Sequence, residues 1–154
     1  MKKISFIVVL LLAALCLFAA PVVFANHDEG KNLPYFTRMP NYYVSDNEDR
    51  IFDEYAFSTN EGIKKVEGKK FRVTYAMNDG VVPSSQLHIV RYYGNQVKAL
   101  GGTTLFDSED VDDKAGRVAT FTLIKDKKEL WFEVNPYNDG EGFVLTIIEK
   151  EITS

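Results

Sequence analysis

The sequence predicts an α+β fold of two layers: a mostly antiparallel sheet of about six to seven strands, with one main helix (about 84–100) packed on one face. Three observations carry that expectation. Apolar residues alternate at period two through Phe71, Val73, Tyr75 and Met77, the spacing of a half-buried strand, and short strand-like runs fill 103–152. A single convincing segment repeats at helical spacing instead. Turn residues separate the last strands by only a few positions, as in a meander of hairpins.

The elements follow in chain order. Residues 1–25 read as a secretory signal peptide: Lys2 and Lys3 precede the apolar run Ile4–Ala25, and Val23 and Ala25 are small where a signal peptidase reads. Pro21 and those small residues favour cleavage after Ala25 over an uncleaved anchor, and the bulky Leu15 before Cys16 is wrong for lipidation. The remainder, 26–154, is expected to be a single domain opening on an irregular lead-in, 26–41, with Pro34 and Pro40. Tyr42–Val44 is read as a short strand, followed by an acidic turn at Asp46-Asn47-Glu48-Asp49. Ile51–Ser58 alternates, Asn60-Glu61-Gly62 turns, and Ile63–Glu67 with Phe71–Met77 is read as a hairpin about Gly68.

Asn78-Asp79-Gly80 breaks the strand, and Ser84 or Ser85 offers a helix N-cap. Leu87, Val90, Tyr93, Val97 and Leu100 then fall on one helical face. Gly94 lies on that same face, where a mid-helix glycine costs roughly 1 kcal/mol against alanine and is explained by close approach to the sheet. Gly101-Gly102 ends the helix. Four strands are expected after it: Thr103–Phe106, Arg117–Lys125, Glu129–Asn135 and Phe143–Ile152. The last is apolar on both faces and is expected near the middle of the sheet.

The chain has 18 Lys and Arg against 22 Asp and Glu; without Lys2 and Lys3 the balance is 16 against 22, or −6. No basic patch exists, which argues against nucleic acid and anionic membrane surfaces as partners. Removing the leader also removes the lone cysteine, so no disulfide supports the domain and its core must hold it. No membrane span is expected after cleavage.

Candidate chemistry is sparse. His27 lies at the new terminus and His88 on the polar side of the helix, so neither zinc nor any other cofactor is expected. Ser45, Ser58, Ser84, Ser85, Ser108 and Ser154 sit at turns, caps or the end, and none lies in a G-x-S-x-G elbow. The acidic run 107–113 has carboxylates enough for Ca²⁺ but lacks the spacing that wraps a loop around the ion, and is read as a solvated loop. The densest aromatic segment is the lead-in, and Tyr35, Phe36, Tyr42 and Tyr43 are expected to form a binding surface unless they complete the core across the sheet. Trp131 is the fifth candidate: with Phe132 beside it on a strand, one of the two must lie on the face without the helix.

Two stretches carry a resemblance. Residues 32–44 (NLPYFTRMPNYYV), running on to Phe52-Asp53-Glu54-Tyr55-Ala56-Phe57, and residues 130–151 (LWFEVNPYNDGEGFVLTIIEKE) resemble the N-terminal region found ahead of the OmpA-like domain in some Gram-negative envelope proteins. The resemblance implies a periplasmic or outer-membrane-associated role. It does not carry over the peptidoglycan binding of the OmpA-like domain, which family members continue into past the Glu-Lys-Glu stretch. The expected function is therefore that of a non-enzymatic binding module contacting an envelope protein or glycan. A carrier of a small apolar ligand between helix and sheet, and a carboxylate-based enzyme acting on glycans, are the two alternatives.

Overall fold

One long hairpin organises the molecule. The structure, a computed structural model, describes residues 32–108 and 116–152. Strands β1 (Tyr42–Thr59) and β2 (Gly62–Met77) pair along their whole lengths, from Tyr42↔Met77 to Thr59↔Gly62. This corrects two expectations. Asp46–Asp49 is strand, not turn, and no hairpin forms about Gly68, because β2 continues through it as one strand. Carboxylates are compatible with this edge strand because the main-chain groups that face β2 are paired with it, while the outer edge and the side chains reach solvent and cations. Arg50 bonds Glu48 at 2.7 Å, and Lys70 bonds Asp53. The Asn60–Glu61 turn between the two strands falls where the sequence put it.

The rest follows the expected order: α1 (Gln86–Ala99), then β3 (Thr103–Asp107), β4 (Ala119–Lys125), β5 (Lys128–Tyr137) and β6 (Gly142–Glu151). All strand pairs are antiparallel, in the sheet order β1-β2-β6-β5-β4-β3. Among the described residues the fold is α+β, a six-stranded antiparallel sheet with one helix packed on a face. β6 lies inside the sheet between β2 and β5, as its two apolar faces required. Asp126 and Lys127, with φ of 51° and 62°, make the two-residue turn from β4 to β5.

Local chemistry explains the helix. Ser85 caps it, accepting the His88 N–H at 3.2 Å, and Gly101 takes the left-handed conformation just past the end, with φ 82°. Ile89, Val90, Tyr93, Gly94 and Val97 are buried against the sheet. Ile89 was not among the predicted inward residues, and Leu100 turns out exposed as the helix ends. A Cβ on Gly94 would stand 3.2 Å from the Phe121 ring, so the glycine does let helix and sheet close on each other.

The aromatic lead-in completes this layer beside the helix. Leu33, Phe36, Met39 and Tyr42 join the main core, and Phe36 stacks on Phe132 with ring centres 4.4 Å apart. Main-chain groups of an irregular segment need partners wherever they are shielded from water. Here tyrosines and a glutamine supply them. The Met39 N–H donates to Tyr93 at 3.2 Å, Tyr92 donates to the Arg38 carbonyl at 3.1 Å, and Thr37 exchanges two hydrogen bonds with Gln96. Tyr42 donates to the Gly140 carbonyl at 2.6 Å and accepts the Ser84 N–H at 3.0 Å.

Candidate functional site

The face of the sheet without the helix is the one that stays partly open, and β1 and β2 shape it. β2 pairs with β6 only from Lys69 to Ala76, whereas its pairing with β1 continues to Gly62. The distal half of the hairpin, about 53–68, therefore leaves the plane of the sheet. A register shift between Arg50 and Asp53 marks the bend in β1, and bulges of this kind increase local twist. Opposite it, Gly68 packs against the Glu149 carbonyl so closely that any side chain would collide with that backbone. The hairpin then curls across the back of the sheet. Its tip reaches the far edge, where the Asn60 N–H donates to the Leu105 carbonyl of β3 at 3.1 Å.

Strand periodicity decides which side chains meet beneath it. In β5, Leu130, Phe132 and Val134 point to the helix layer, and Trp131 and Glu133 point to the hairpin. From above, Tyr55 and Val66 face each other across the hairpin, as do Phe57 and Lys64. Phe57, Val66, Trp131 and Ile148 form a second small core, with the Phe57 and Trp131 rings 5.6 Å apart. Lys64 stands over the Trp131 ring with Nζ 6.0 Å from its centre, the outer limit of a cation–π contact.

Two clefts open around that pair. The larger, of about 400 Å³, is lined by Phe52, Glu54, Lys64, Lys65, Val66, Glu67, Glu129, Trp131 and Lys150. The smaller, of about 290 Å³, lies toward the hairpin tip and shares Lys64 and Trp131 with the first. Phe52, at the bulge, is 69% exposed and forms a rim, whereas Trp131 is 9% exposed and forms the floor. Lys65 pairs with Glu54 at 2.7 Å and Lys150 with Glu129 at 4.0 Å. These are surface pairs worth little to stability, but they set the charges of the walls.

Deeper under the hairpin, Glu133 is buried. It accepts the Tyr55 hydroxyl at 2.6 Å and a main-chain N–H from Ser58. Burial pushes its carboxyl above the ordinary glutamate range, and the two donated hydrogen bonds oppose that. The Tyr55 hydroxyl is likewise raised, first by burial and then by the carboxylate it faces. Thr120, directly across the β4–β5 ladder from Glu133, is fully buried with its hydroxyl unpartnered.

The five aromatics expected to bind are distributed differently from the prediction. Phe36 and Tyr42 are core residues of the helix layer, so the expectation that they present an exposed surface is corrected. Tyr35 is half-buried and donates to Glu149 at 2.7 Å, and Glu149 also pairs with Lys128 at 2.9 Å. Tyr43 is half-buried on β1. Trp131 alone of the five lines a cleft described here, and of the neighbours Trp131 and Phe132 it is the one on the helix-free face. Lys64, Phe52 and the flanking ion pairs were not singled out from the sequence. The signal available for them was the adjacent pair Ile51-Phe52, which breaks the alternation as a bulge does.

His88 is exposed on the helix. His27, residues 1–25, which the sequence reads as a leader, and most of the acidic run 107–113 lie outside the described residues. Within them, Asp107 pairs with Arg117 at 2.9 Å. Among the described residues no three His, Cys, Asp or Glu side chains gather as a metal site, and no helix is long and apolar enough to cross a membrane. No family model matches the chain, and no curated protein matches it either.

Proposed function

We propose that this protein is a non-enzymatic binding module of the bacterial cell envelope, which holds its partner in the cleft between the curled hairpin and Trp131. The observation that carries this reading is the cleft: a concave site with an aromatic floor, an apolar rim and a few placed charges, the usual make-up of a ligand site. The rim is Phe52, a large apolar side chain held in water by a bulge with no core to enter. An envelope setting is supported by the leader-like residues 1–25 and by the likeness of 32–57 and 130–151 to the region ahead of OmpA-like domains. The carrier alternative finds no support at Gly94, because Phe121 fills the space opposite it.

The test is photo-crosslinking in living cells, with a benzophenone amino acid in place of Phe52. Val82, 85% exposed and not among the cleft residues, serves as the comparison position. A discrete adduct from position 52 and none from position 82 is expected. Equal labelling from both, or from neither, would overturn the assignment of this cleft.

A further inference from the structure

We infer that the cleft receives an acidic glycan, a saccharide chain whose C–H face lies along Trp131 and whose carboxylate pairs with Lys64. This rests on the reading of the cleft as a binding site and names its ligand class. The first argument is the state of the floor. β5 is an interior strand, and Trp131 sits in register with Thr122 on one side and Ile148 on the other. Its main-chain groups are therefore engaged, and an extended peptide has no free edge there to which it could add as a strand. Recognition must come from side chains.

The second argument is what those side chains offer. An aromatic body beside paired charged groups suits a ligand with an apolar face and a rim of hydroxyls, which donate to carboxylates and accept from ammonium groups. The pairs Lys65–Glu54 and Lys150–Glu129 supply both kinds of partner on the cleft walls. The third argument is charge. Those four residues cancel in pairs, and Glu67 in the larger cleft and Glu61 in the smaller add carboxylates to the walls. No carboxylate among the described residues pairs directly with Lys64, however, which faces the Trp131 ring instead. A cation held over an aromatic floor is placed to take an anion from the ligand. The fourth argument is shape. Both clefts meet at Lys64 and Trp131, so the site suits a chain of sugars passing that pair better than a single ring.

Trp131 is the only tryptophan of the chain, so its fluorescence reports on this site alone. The purified protein would be titrated with tetragalacturonic acid and a hyaluronan hexasaccharide as acidic probes. Maltotetraose provides the neutral sugar and tetraglutamate the charge without sugar. The expected result is a saturable fluorescence change with an acidic saccharide, at an affinity at least about tenfold above maltotetraose, and no response to tetraglutamate. Lys64→Met keeps the alkyl stem over the ring and is exposed, so it should fold. It is expected to erase the tenfold preference for the acidic saccharide over maltotetraose.

Equal binding of neutral and acidic sugars would overturn the role of Lys64, and equal binding of tetraglutamate would overturn the glycan. Silence with every saccharide, in protein whose circular dichroism shows it folded, would overturn the inference as a whole. If crosslinking at position 52 still yields an adduct, the binding-module reading survives that failure. If it does not, both fall.

Discussion

At the scale of single residues, Glu133 holds the least ordinary environment among the described carboxylates. It is buried under the hairpin, with donors from Tyr55 and Ser58, and its folded form keeps its proton to higher pH than an unfolded glutamate does. The folded state thus binds more protons than the unfolded one over the interval between the two values. Stability from this group is complete below the unfolded value, about 4.3, and is lost as pH rises through the raised folded value. Glu133→Gln keeps the hydrogen-bonding shape and removes the titration. Urea denaturation midpoints are expected to fall with rising pH above that point more steeply for the native chain than for Glu133→Gln. Parallel profiles would show that Glu133 ionises as freely folded as unfolded.

At the scale of the element, the long hairpin is the part that creates the cleft, and Gly68 is where it leaves the sheet. A β-carbon at that position collides with the Glu149 main chain, which belongs to an interior strand and cannot retreat cheaply. Gly68→Ala is expected to destabilise the fold by about 1–3 kcal/mol, the usual cost of overpacking. The loss should concentrate in the hairpin. Amide exchange at Asn60, whose N–H reaches across to Leu105, should accelerate more than exchange in β5. Uniform acceleration would mean that the hairpin and sheet open as one unit, with no local role for the bend.

At the scale of the whole molecule, two layers lie on opposite faces of one sheet and are closed by different means. The helix and lead-in build a large core on one face, while the hairpin covers the other with a small one and leaves the clefts open. Tyr42 joins several parts of the first layer. Its ring packs edge-on against Phe143 on β6, and its hydroxyl links the carbonyl of Gly140, before β6, to the N–H of Ser84, before α1. Tyr42→Ala is therefore expected to cost about 3–5 kcal/mol in chemical denaturation, the range for removing a buried aromatic. A cost under about 1 kcal/mol would show the lead-in to be dispensable packing.

Much of the fold was legible in the residues themselves. The helix, its Ser85 cap and glycine stop, the four-strand meander and the interior place of β6 follow from periodicity and turn chemistry, which are properties of short windows of chain. The five aromatic candidates show where that legibility ends. An aromatic in an irregular segment looks the same in sequence whether it faces water or core, because burial depends on what another part of the chain lays against it. Phe36 is buried because Phe132, far along the chain, lies under it. The cleft is of the same kind. Lys64 and Trp131 are distant in sequence and meet only because β1 and β2 stay paired past the end of β6 and curl over the sheet. The sequence by itself determined the helix, the four strands after it and the apolar faces of those elements, since these depend on local spacing, whereas the unbroken length of β1 and β2 did not follow from it. Only the tertiary structure decided that the hairpin bends at Gly68 and that Trp131 becomes the floor of a site, since both depend on contacts between segments that no local pattern encodes.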